Sequence, residues 1–68
     1  MQTNLTGEAR NALHWAAAAL GMKQMNEANG DPLRGDSLAA YERYQDNARA
    51  HGLTDADIRN YYAQLAAT

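Results

Sequence analysis

Residues 5–22 read LTGEARNALHWAAAALGM, and this stretch determines the fold. Its apolar residues recur every three or four positions, as they do along one side of an amphipathic α-helix. They are Leu5, Ala9, Leu13, Ala16 and Leu20. Alanine is the residue that favours helix most, and it fills much of the stretch. The pattern therefore predicts a long helix with one core-facing side.

A second apolar set lies beside the first on the same helix. Trp15, Ala18, Ala19 and Met22 fall at offsets of three, four and seven residues, about 100° round from the first stripe. Two interpretations stay open. In the first, both apolar sides of the helix are core, and one shorter helix packs on each. In the second, the side with Trp15 and Met22 is partly exposed and binds another protein or a second copy of the chain. Tryptophan and methionine are enriched at interface cores, and small alanines let another backbone come close.

Capping residues predict where the first two helices begin and end. Thr6 can cap a helix over 6–29, and the run from Asn29 to Pro32 ends it with a left-handed residue and a proline. Asp36 or Ser37 can cap a second helix over 37–51. Gly52 then stops the second helix.

The third helix, over 55–67, has the best-specified start. Thr54 is its expected N-cap, and Asp57 three residues later makes an imperfect capping box. Leu53 and Ile58 are placed to form a hydrophobic staple around this cap. Connections of about two to six residues force neighbouring helices to fold back on each other. The sequence predicts an all-α, compact three-helix bundle, with residues 1–68 as one domain.

Composition excludes several classes of function. The chain has 68 residues, no cysteine and a formal net charge of −2, and its six lysines and arginines are scattered among acids. Duplex binding needs basic residues gathered on one face, so nucleic acid is an unlikely partner. The apolar run 16–20 is far shorter than the roughly 20 residues that cross a bilayer, so no membrane partner is expected. The absence of cysteine fits a cytoplasmic location.

Catalytic, cofactor and metal sites are not expected. His14 and His51 have no second histidine or carboxylate three or four residues away on the same predicted helix, and His51 is expected to cap a helix C-terminus. Ser37 is the single serine and is better explained as a helix cap than as a nucleophile. So small a domain offers no deep pocket for a small-molecule substrate.

The tyrosines give a second indication of a protein contact. Tyr61 and Tyr62 are adjacent, so they cannot both point the same way on a helix and at least one should be partly exposed. With Arg59 beside them, they are candidate interface residues in addition to the set around Trp15. The alternative is that they are boundary residues whose hydroxyls reach water.

Three functions follow as hypotheses. The first is a non-enzymatic module that docks on a larger protein partner and modulates or inhibits it, with homodimerisation through the same surface also compatible. Accessory proteins of phages and plasmids supply an analogy for such chains. The second is a helix-turn-helix DNA regulator that uses Arg49 and Arg59, although Asp55 and Asp57 would face phosphates. The third is a structural subunit of a larger assembly.

Overall fold

The computed structural model describes residues 6–67 and contains three helices. They are α1 (Gly7–Ala28), α2 (Gly35–Ala50) and α3 (Asp55–Ala67). The predicted all-α three-helix bundle is confirmed, and the third helix has the predicted bounds. Leu5, the first member of the predicted core stripe, lies outside the described residues. No helix within the described range is long and apolar enough to cross a membrane.

Helix α1 is the middle element of the bundle. It packs against both α2 and α3, whereas no Cα of α2 comes within 8 Å of a Cα of α3 in the described part of the chain. The Cα atoms extend 38 × 25 × 16 Å, so the arrangement is flattened. Because its two neighbours stay apart, α1 can be exposed on more than one side.

Alanine builds much of the core. Ala16 and Ala17 of α1 and Ala48 of α2 are fully buried, together with Leu13, Leu53 and Ile58. Leu20, Tyr61 and Tyr62 pack against this cluster and are partly buried. Small side chains allow close helix approach but bury little apolar area, so the core of this short chain supplies modest stability.

The predicted caps of α1 and α3 are confirmed. Thr6 Oγ1 accepts a hydrogen bond from the Ala9 backbone amide at 3.0 Å. At α3 the capping box is reciprocal: the Asp57 amide donates to Thr54 Oγ1 at 3.1 Å, and the Thr54 amide donates to Asp57 Oδ2 at 2.9 Å. The aspartate is shorter than the usual glutamate, yet its carboxylate reaches back to the Thr54 amide.

Two glycines end α1 and α2 as expected. Gly30 and Gly52 have φ values of 78° and 83°, in the left-handed region. The residue after each glycine donates its amide to a carbonyl five positions earlier: Asp31 to Asn26 at 2.8 Å and Leu53 to Ala48 at 3.1 Å. These bonds are typical of Schellman caps. His51 lies at the C-cap of α2, and its Nδ1 donates to the Asn47 carbonyl at 2.9 Å.

The predicted start of α2 is wrong. The helix begins at Gly35, and its N-cap is Arg34, whose side chain makes no capping hydrogen bond. Asp36 and Ser37 therefore lie in the first turn instead of capping it. Gly35 has φ 59°, in the left-handed region that glycine adopts readily. The helix therefore begins at Gly35, before the point at which a side-chain cap at position 36 or 37 would start it.

Polar contacts also join the helices. Gln45 of α2 is buried, and its Nε2 donates to the Ala16 carbonyl of α1 at 2.9 Å. Arg49 near the end of α2 bonds to Asp46 and to Asp55 of α3, each at 3.0 Å. The hydrogen bond to Asp55 raises the pKa of Arg49 above its ordinary value. The side chains of Arg49, Asp46 and Asp55 are all exposed, so their ion pairs add little to stability. They orient the connection between α2 and α3.

Candidate functional site

One side of α1 exposes large apolar side chains to solvent. Trp15 is 52% exposed, Met22 60% and Met25 65%. Ala18 lies exposed between them, and Ala19 is half-buried at the edge. The interpretation in which both apolar sides of α1 are core is wrong, because the neighbouring helices cover only the first. Trp15 and Met22 are on the outside of the isolated chain.

Aromatic rings form a row across this side of the molecule. The Trp15 indole stacks on Tyr44 of α2, with ring centroids 6.1 Å apart and planes at 18°. The His14 ring meets Trp15 edge-on at 5.6 Å and meets Tyr61 of α3 edge-on at 6.0 Å. His14 Nδ1 and the Tyr61 hydroxyl are also 3.2 Å apart, within hydrogen-bond distance. The row of rings therefore joins all three helices.

We call the surface formed by Trp15, Ala18, Met22, Met25 and Tyr44 the Trp15 face. All five are uncharged. Tryptophan and tyrosine bring large, rigid apolar area, and methionine adapts to irregular surfaces. A contiguous patch of this kind, without charge, is typical of protein-interaction sites.

The charged residues of the C-terminal half of α1 contact each other and α2. Lys23 Nζ bonds to Glu27 at 2.6 Å and lies 5.7 Å from the centroid of the Tyr41 ring. The hydrogen bond to Glu27 raises the pKa of Lys23 above its ordinary value. This i, i+4 pair lies on the side that faces Tyr41, so it leaves the Trp15 face without charge.

The other predicted interface residues lie elsewhere. Tyr62 packs its ring against Gly21: a Cβ built on that glycine would be 2.8 Å from Tyr62 Cε1. Arg59 is exposed and lines a cleft between α2 and α3, with Leu20 on its floor. Tyr61 is partly buried against the core and reaches the Trp15 face only through His14. The structure thus groups Trp15, Ala18 and Met22 but separates them from Arg59 and Tyr62.

Two residues of the face were not predicted. Met25 follows Met22 by three positions, so its helical spacing could have placed it on the same side. No spacing pattern in the sequence placed Tyr44 on this face. Its position beside Trp15 depends on how α2 packs on α1, which periodicity within one helix does not encode.

The clefts beside α2 are open and lined by charged residues that pair with each other. The one between α2 and α3 has a volume of about 140 Å³, and another along α2, beside Tyr41 and Glu42, has about 390 Å³. Arg49 in the wall of both is paired with Asp46 and Asp55. Nowhere in residues 6–67 do three or more His, Cys, Asp or Glu side chains group as a metal site would require. The Trp15 face is therefore the feature of the described chain most suited to binding.

Comparisons with known proteins found no match among protein-family models, curated protein sequences or solved structures.

Proposed function

We propose that this chain is a non-enzymatic binding module that docks on a larger protein partner through the Trp15 face and modulates it. The observation that carries the proposal is the exposure of Trp15, Met22 and Met25 on one uncharged side of α1. Covering these side chains removes apolar area from water, which is the main driving force of protein association.

The geometry of the face favours binding. The Trp15 indole stacks on Tyr44 and contacts His14, so part of its rotational freedom is already lost before docking. Ala18 is small and exposed, so a partner helix or strand can approach the α1 backbone between the two larger side chains. Such a rigid aromatic anchor beside small and flexible neighbours is characteristic of interface hot spots.

DNA binding is less well supported. Asp55 and Asp57 occupy the first turn of α3, where a recognition helix would approach the duplex. The backbones of α2 and α3 also stay more than 8 Å apart at their Cα atoms, whereas the two helices of a helix-turn-helix pack together. A structural subunit would use the same Trp15 face, so it is a variant of the binding proposal.

The test compares variants that add the same charge on the same helix. Met22→Lys places an ammonium inside the face, and Gln24→Lys places it at an exposed α1 position outside it. Tagged wild type should capture a partner in cells, Gln24→Lys should retain that partner, and Met22→Lys should lose it. The captured protein is then purified and titrated against each variant. Equal affinity for the two lysine variants would contradict the proposal.

A further inference from the structure

The exposed side of α1 follows a regular repeat. Its positions alternate in steps of four and three residues, the spacing of a coiled-coil seam. They are Asn11, Trp15, Ala18, Met22, Met25 and Asn29, and all six are exposed. We call this set the outer seam. It extends the Trp15 face from the second turn of α1 to the C-cap residue and is about 27 Å long at the helical rise of 1.5 Å per residue.

We propose that the outer seam pairs with the outer seam of a second copy of this chain in an antiparallel, two-fold symmetric dimer. The inference rests on the proposed function because it uses the same face, so a second copy and the larger partner exclude each other there and the dimer must dissociate before the partner docks. A seam with the spacing of a coiled coil accepts another helix at a shallow crossing angle, and α1 is exposed along about five turns.

When the seam of a second copy is laid antiparallel on the first, each residue meets one that complements it in size and chemistry. With the helices antiparallel and fully overlapped, Ala18 faces Met22 of the second copy, so a small side chain meets a large one. Trp15 faces Met25 of the second copy, a sulfur–aromatic contact. Asn11 faces Asn29 of the second copy, and their amides can bond to each other at both ends. Each layer is therefore filled or paired.

In a parallel pairing of the two helices, the facing side chains fit together less well. It would set Trp15 against Trp15 and Ala18 against Ala18, which crowds one layer and leaves a gap in the next. Overpacking and cavities both destabilise an apolar contact. The antiparallel arrangement distributes the same side chains evenly.

Charge does not oppose the pairing. Glu8, one step before Asn11 in the repeat, would lie opposite position 32 of the second copy, beyond the end of its α1. From Asn11 to Asn29 the seam carries no charged side chain, and neither do the α1 positions that flank it in the coiled-coil repeat. Those positions are Ala12, His14, Ala19, Gly21, Asn26 and Ala28. The net charge of −2 on each copy therefore comes from residues outside the contact, where salt screens it.

The buried area indicates a weak, reversible dimer. From their fractional exposures, Trp15, Tyr44, Met22 and Met25 present on the order of 450 Å² per copy. Two copies, with the small seam residues added, approach the roughly 1,000 Å² at which specific interfaces begin. We expect dissociation in the micromolar range, where both species can be measured.

Sedimentation velocity of the full chain over a range of concentrations tests the dimer. Wild type and Gln24→Lys should show the same concentration-dependent dimer. Met22→Lys should weaken it at least about tenfold, because an unpaired ammonium would be buried against Ala18 of the second copy. Circular dichroism checks that the helices persist, which we expect because lysine favours helix and both sites are exposed.

Charge complementation tests the antiparallel pairing. Ala18→Glu alone and Met22→Lys alone should each dimerise at least about tenfold more weakly than wild type, and their mixture should form a heterodimer, since the carboxylate introduced at position 18 of one chain meets the ammonium introduced at position 22 of the other. A mixture that stays monomeric while wild type dimerises would overturn the antiparallel pairing. A wild type that is monomeric at every concentration would overturn the dimer, yet leave the face open to a different protein. The proposed function fails separately, when the two lysine variants bind a captured partner equally.

Discussion

The indole of Trp15 and the phenol ring of Tyr44 lie nearly parallel, at 18°, with their centroids 6.1 Å apart. Trp15 belongs to α1 and Tyr44 to α2, and each ring keeps one side open to solvent at 52% and 42% exposure. The stack therefore has two effects. It fastens α2 to α1 outside the core, and it fixes the indole in one orientation on the binding surface.

Tyr44→Ala should release the indole. We expect the tryptophan emission of the monomer to shift to the red, because Trp15 loses the ring that shields one of its faces. The free energy of unfolding should fall by about 0.5–1.5 kcal/mol, the contribution of an aromatic pair. Emission spectra and urea denaturation at low protein concentration measure both effects. Arg43→Ala, at the exposed neighbouring position, is the control and should leave the emission unchanged. An unshifted emission in Tyr44→Ala would show that the stack does not shield Trp15.

Local signals in the sequence determined most of the fold. Thr54 and Asp57 form the predicted capping box because this motif involves only neighbouring residues. Gly30 and Gly52 end their helices for the same reason, since a left-handed turn depends on one residue. The start of α2 was mistaken because Gly35 permits an earlier entry into the helix without a side-chain cap. Two competing local signals lay close together, and nothing in the sequence ranked them.

The binding surface was only partly predictable. Helical spacing placed Trp15, Ala18 and Met22 on one side, but whether a neighbouring helix covered that side depended on how α2 and α3 pack. Arg59 and Tyr62 were predicted as further interface residues because the adjacent tyrosines 61 and 62 cannot both point the same way and Arg59 lies beside them. In the structure α3 turns Tyr62 toward Gly21 and Arg59 toward the cleft. Assigning a residue to a surface requires the relative orientation of helices, which residue types along one helix do not supply.

Gly21→Ala should destabilise the protein. In an ordinary helix interior this change stabilises by up to about 1 kcal/mol, because alanine restricts the unfolded chain. Here the added Cβ would lie 2.8 Å from Tyr62 Cε1, so the ring must shift away from the core. Overpacking of this kind costs about 1–3 kcal/mol, which outweighs the gain. Thermal and urea denaturation should show a net loss of about 1 kcal/mol.

In a protein that already carries Tyr62→Ala, the effect of Gly21→Ala on the free energy of unfolding should change sign. Without the ring, Gly21→Ala has no steric cost and should raise the free energy of unfolding by a few tenths to about 1 kcal/mol. The sign change isolates the contact between the two residues from any general effect of alanine. A stabilising Gly21→Ala in the wild-type background would mean that Tyr62 moves aside freely.

Gln45→Glu should make the stability of the bundle depend on pH. Gln45 is only 5% exposed, and its amide donates to the Ala16 carbonyl. An ionised glutamate can only accept hydrogen bonds, so at neutral pH it would face that carbonyl buried and unpaired, at a cost of about 2–3 kcal/mol. Burial raises the pKa of the new carboxyl above the roughly 4.3 of the unfolded chain. The folded state therefore binds more protons, and the loss of stability should shrink as pH falls through the raised pKa, because the protonated acid can donate to the Ala16 carbonyl.

The matched variant is Gln45→Met, which keeps about the same volume and loses only the hydrogen bond. It should lower the free energy of unfolding by about 1 kcal/mol at any pH. Urea denaturation of both variants from pH 7 to pH 4 measures the difference between them. A constant difference would show that residue 45 reaches solvent when it is charged.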